Sequence, residues 1–155
     1  MYLWYCAGMT TRTAIDEAVD LLEALTVGAV AVTSLALEQA SVELTFAQWR
    51  VLMVLADEPD GATVSAIAAR IGSANSPASR LIERMRLRGL VETGKDELDR
   101  RATRVRLAEE GGRVRERVVV RRRGLLREVL APLGGLSPEA EREVRRLAAA
   151  VRSLS

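Results

Sequence analysis

Apolar residues recur at helical spacing along most of this 155-residue chain. From Thr13 to about Ala40, the positions Ile15, Val19, Leu22, Leu25, Ala29, Val32 and Leu35 or Ala36 fall three or four apart, which predicts one long helix. Asp16, Glu17 and Asp20 lie near its start, where the helix dipole favours anions. The stretch Ala24–Leu37 carries no charge, so most of that half of the helix is expected to be covered, by this chain or by another copy. Taken alone it is too short to span a bilayer. Thr45-Phe46-Ala47-Gln48 is a capping box opening a second helix, whose apolar face is Phe46, Trp49, Leu52, Met53, Leu55 and Ala56. The turn residues Asp57–Gly61 end it. Val64–Ile71 reads as a short helix with Ile67, Ala68 and Ile71 facing the core, broken by Gly72. A fourth helix begins around Ser76-Pro77, because Pro in a first turn costs no hydrogen bond. It runs to Arg88, buries Ala78, Leu81, Ile82 and Met85, and stops at Gly89.

The pattern then changes. Leu90-Val91-Glu92-Thr93 is a β-like run, Lys95–Arg104 is a polar tip, and Thr103–Leu107 is a second short strand. Helical spacing returns over Glu109–Leu130, with Val114, Val118, Leu125 and Val129 in its stripe, and Pro132-Leu133-Gly134-Gly135 ends it. Ser137-Pro138-Glu139 opens a last helix whose stripe continues through Leu147, Val151 and Leu154. Helix–turn–helix followed by a charged hairpin is a winged helix. The expected fold is mainly α (α+β), a winged helix-turn-helix with a small β-hairpin wing, flanked by N- and C-terminal helices. The expected organisation is a disordered tail over 1–12, a helix over 13–40, the winged helix over 44–107, and terminal helices over 108–155.

Charge sharpens this picture. The net charge is only +2, but sixteen of the 23 basic residues fall between Arg80 and Arg127 and three precede Arg80. A basic middle beside an acidic N-terminal half points to a polyanionic partner. Only Lys95 among the basic residues is lysine, as a GC-rich coding bias would give. The chain has one cysteine and no histidine, which excludes an internal disulfide, His-based zinc sites and Ser–His catalysis. With no phosphate loop and no paired carboxylates either, no catalytic set is found and no cofactor is called for. The opening MYLWYCAGMTTR lacks the basic leader and long apolar run of a signal peptide, so the cytoplasm is expected. Met9 is an alternative start.

In order and spacing the chain resembles the MarR family of bacterial transcriptional regulators over roughly Ile15–Leu154. The resemblance is carried by Leu44-Thr45, Gln48-Trp49 and Leu52, then Val64 with Ile67-Ala68, Ser79-Arg80-Leu81-Ile82 with Met85, and Arg88-Gly89-Leu90-Val91. Asp99-Arg100-Arg101, Val105-Arg106-Leu107, Glu110-Gly111 and Leu136-Ser137-Pro138-Glu139 complete it. It implies a homodimer held by the segments 13–40 and 108–155, which binds a pseudo-palindromic operator in double-stranded DNA, represses genes, and is released by a small molecule or an oxidant. Asn75 stands where relatives often carry Arg or Lys, and Pro77 lies inside the first turn. Both departures bear on base preference.

The recognition helix is then Asn75–Arg88. Asn75, Ser76, Pro77, Ser79 and Arg80 form its leading part, with Arg80 able to fork onto guanine and Arg84 placed for a phosphate. Arg86 and Arg88 fall on other azimuths. In the wing, the resemblance implies that Asp99 orients Arg101 and that Arg101 enters the minor groove. Arg100 and Arg104 are second-rank phosphate candidates. Arg121-Arg122-Arg123 spreads around a helix and reads as a solvated ring. Trp49 is either core or the lining of an effector cleft, which the family places where the second helix meets the first and fifth. Cys6 is either an oxidant sensor or a stray tail cysteine, with no basic residue before Arg12 to lower its pKa. A winged helix that binds protein instead of DNA is the rival from another class.

Overall fold

Three threonines fix where three of the helices begin. The side-chain oxygens of Thr13, Thr45 and Thr63 accept the backbone N–H groups of Asp16, Gln48 and Ala66, filling donors that a helix start leaves unpaired. Asp16 and Gln48 answer with bonds to the backbone N–H of Thr13 and Thr45, completing two capping boxes. The Thr13 backbone bond, with a second from its hydroxyl, holds the Asp16 carboxyl below its ordinary pKa. In the computed structural model residues 13–96 and 101–152 are described. They form α1 (Ala14–Gln39), α2 (Phe46–Ala56), β1 (Ala62–Thr63), α3 (Val64–Arg70), α4 (Asn75–Leu87), β2 (Val91–Lys95), β3 (Thr103–Leu107), α5 (Glu109–Leu130), a 3-10 turn (Ala131–Leu133) and α6 (Pro138–Arg152).

The sheet is antiparallel in the order β1-β3-β2, with Val91 opposite Leu107, Lys95 opposite Thr103 and Ala62 opposite Val105. β1 was absent from the sequence expectation, since two residues cannot display an alternation. The winged-helix core joins Leu52, Leu55, Ile67, Ile82, Met85, Val91 and Val105. A second cluster of Ala36, Leu37, Trp49, Val118 and Leu125 ties α1, α2 and α5 together. α2 is shared by both clusters, so its buried surface is wider than one stripe. Val51 and Val54 are buried, while Phe46, expected inward, is 40% exposed at the first turn.

α5 is braced against the wing. The Ala108 N–H donates to the Leu90 carbonyl at 3.2 Å, and a Cβ on Gly111 would overlap that same carbonyl oxygen. The three consecutive arginines of α5 do not form a uniform solvated ring. Arg121 Nε donates to Gln39 Oε1 of α1 at 2.5 Å, whereas Arg122 Nε is buried without a partner among the described residues.

Two elements are underemployed within one chain. In α1 only Thr33, Ala36 and Leu37 are buried, and Val27 and Val30 are more than half exposed. Over its full 26 residues α1 is long and apolar enough to cross a bilayer by length and composition, with a window mean hydropathy of 1.6. In the fold its C-terminal part lies along α5. α6 makes at most marginal contact with the other described elements and leaves Val144, Leu147 and Val151 exposed.

Candidate nucleic-acid interface

α4 divides cleanly into two faces. Ala78, Leu81, Ile82 and Met85 are buried against α3 and the sheet, while Asn75, Ser76, Pro77, Ser79, Arg80 and Arg84 are all exposed. Ser76, Arg80 and Arg84 are spaced by four and therefore lie in one row along the outer face. The helix has Ala74 at its N-cap and no side-chain cap bond, so its first-turn amides face outward unfilled by this chain's side chains. Neither Arg80 nor Arg84 forms a hydrogen bond or ion pair with a described residue.

The other two arginines of α4 are engaged. Arg86 forks onto Glu83, with Nε at 2.8 Å and Nη2 at 2.7 Å from its two carboxylate oxygens. This bond lowers the Glu83 pKa and raises that of Arg86. Arg88, just past the helix, reaches Gln48 Oε1 of α2 at 3.5 Å. Arg86 stands on another azimuth, as expected, whereas Arg88 continues the four-residue spacing of Ser76, Arg80 and Arg84 and is set apart by its contact with α2.

At the wing, Arg101 is exposed beside the tip. Asp99 and Arg100 lie outside the described residues, as do Cys6, the 1–12 tail and Leu154. Arg104 is placed differently from a free phosphate contact. Its guanidinium binds the Asp96 carboxylate and the carbonyls of Gly61 and Asp60.

Trp49 is 4% exposed and packs into the α1–α2–α5 cluster. A cleft of about 700 Å³ opens elsewhere, between the end of α1, the start of α2 and α4. Leu37, Phe46, Gln48, Leu81, Arg84 and Arg88 are among its walls, and Trp49 is not. Sequence reading missed this cleft because its walls come from three helices with no shared motif.

The arrangement presents short polar groups and arginines on a protruding helix, with a basic hairpin beside it. The sequence profile of the MarR family matches residues 43–102. Comparison with curated proteins returned no significant match. Among solved structures, a MarR family protein from Bacillus stearothermophilus is 27% identical with a TM-score of 0.71, covering 90% of this chain and 91% of that one. The PcaV transcriptional regulator of Streptomyces coelicolor, solved with its natural ligand, is 27% identical with a TM-score of 0.58, covering 96% and 98%. A mutant of S. aureus MepR bound to an oligodeoxyribonucleotide is 21% identical with a TM-score of 0.60, covering 89% and 98%.

Proposed function

We propose that the chain is a DNA-binding transcriptional regulator of the MarR family, whose profile it matches over residues 43–102, and that it is a cytoplasmic repressor that grips a pseudo-palindromic operator as a homodimer. The observation that carries this reading is the outer row of α4, with Arg80 and Arg84 exposed and uncommitted while the opposite face is fully buried. A helix presented in this way enters a major groove, and the hairpin beside it reaches the adjacent backbone. Asn75, Ser76, Pro77, Ser79 and Arg80 meet base edges, and Arg84 meets a phosphate. At the wing, Arg101 enters the minor groove, and the family resemblance assigns Asp99 to orienting it and Arg100 to a phosphate.

A second copy supplies the missing cover for α1 and α6. With two recognition helices per dimer, half-site centres fall about one helical turn apart. A small molecule seated between the helical layer and the winged helix changes the spacing of the two recognition helices and releases the operator. The α1–α2–α4 cleft is within the size range of small-molecule sites. PcaV with its ligand and MepR with its oligonucleotide support these two binding roles by likeness of fold.

The test is fluorescence anisotropy of the purified protein on a duplex selected from a randomised pool. Affinity is expected to fall steeply and log-linearly with salt, and Arg101→Ala to weaken binding and flatten the slope by roughly one phosphate's share. A protein that retains no duplex at low salt is the protein-binding rival instead.

A further inference from the structure

Asp96 is an acid in an unfavourable place for a surface that meets DNA. It follows β2 directly at the root of the wing tip, where its N–H donates to the Ala102 carbonyl at 3.1 Å, yet the residue is 3% exposed. Arg104 Nε and Nη2 approach its Oδ2 at 2.6 and 2.5 Å. The third nitrogen of the same guanidinium, Nη1, donates to the carbonyls of Gly61 at 2.9 Å and Asp60 at 3.4 Å. Every nitrogen of Arg104 thus has a protein acceptor, and its side chain is 22% exposed. β3 is the middle strand, so this one side chain ties the far end of β2 to the loop that leads into β1. That loop lies hard against β3: Gly61 has φ +80°, and a Cβ there would overlap the Val105 carbonyl.

We propose that Asp96, Arg104 and the Asp60-Gly61 carbonyls form a brace that fixes the direction of the wing relative to α4. Asp96 and Arg104 are then positioning residues for DNA binding and not contacts to it. The proposal rests on the DNA-binding reading above. A two-stranded hairpin is marginal by itself, and strands whose direction is fixed before binding lose less freedom on binding. Arg101 lies three residues before Arg104, so the brace sets where that arginine points. The sign of one substitution separates the brace from simple electrostatics. An acid near phosphates opposes binding by its charge, so Asp96→Asn tightens binding unless the acid is holding something in place.

The experiment uses the full chain and the selected duplex, at a temperature where circular dichroism shows every variant folded. Asp96→Asn is expected to weaken binding on the order of tenfold, the scale of coupling within one salt-bridge network. Arg104→Lys, which keeps the charge and loses the fork, is expected to weaken it comparably. Arg101→Ala is expected to be costly in the wild type and nearly silent in the Asp96→Asn background, a dependence that a loss of global stability does not produce. Equal or tighter binding by Asp96→Asn, full affinity for Arg104→Lys, or an undiminished Arg101→Ala penalty each overturns the brace. If the wild type selects no duplex, the DNA-binding reading fails, and hydrogen exchange still judges the brace. Asp96→Asn must then speed exchange of the β2 and β3 amides, and unchanged protection overturns it.

Discussion

The four arginines between residues 80 and 88 share a helix and its end but not a fate. Arg80 and Arg84 point outward from the face opposite the core, Arg86 is neutralised by Glu83, and Arg88 leans toward Gln48. Local charge density therefore overstates how many cations the outer face of α4 offers to a polyanion. Arg80 is the residue best placed to fork onto a guanine, and Arg80→Ala is expected to cost about 1–3 kcal/mol on the selected duplex while relaxing preference at one base pair. Equal losses on selected and random duplexes would reduce Arg80 to a phosphate clamp. The outward row of α4 was legible because helical period and apolar spacing together dictate both faces. The commitment of Arg104 was not. Its acceptors lie eight residues back and more than forty residues back, and only the β1–β3 and β2–β3 registers bring them together. Trp49 was ambiguous in sequence for a related reason, since core and cleft demand the same spacing.

Among elements, the starts of α2 and α6 followed from their caps, and the spans of α1 and α5 from their apolar stripes. β1 escaped notice because its pairing partner, and not its own composition, makes it a strand. Neighbouring glycines at the start of α5 offer a test of how closely that helix meets the wing. A Cβ on Gly111 would overlap the Leu90 carbonyl, whereas one on Gly112 meets only Leu107 Cδ2 at 3.9 Å, an ordinary contact. Gly111→Ala is thus expected to destabilise by about 1–3 kcal/mol through overpacking. Gly112→Ala is expected to stabilise by roughly 0.5–1 kcal/mol, because alanine loses less freedom in a helix. Thermal melts decide the matter: shifts of the same sign would mean that α5 and Leu90 are not in close approach.

For the whole molecule, the uncovered apolar rows of α1 and α6 are the strongest statement the fold makes about assembly. Folding buries apolar surface wherever the chain allows it, and Val19, Leu25, Val30, Val144 and Val151 together remain on the outside of a single copy. Sedimentation at micromolar concentration is expected to find a dimer with no folded monomer, and a melting temperature that rises with concentration. A stable monomer would remove the reason for two recognition helices. The sequence showed that part of α1 needed cover, but which surface supplies it depends on packing that no periodicity encodes. The rigid contact at Gly111 has one more implication. α5 spans 22 residues, so it is a rod about 33 Å long, with the wing root at one end and the turn into α6 at the other. A tilt of only about 6° at the far end sweeps the near end through about 3.5 Å, close to the rise between successive nucleotides. In the proposed dimer, such a lever would turn a slight rocking between subunits into a mismatch of a full step along an operator.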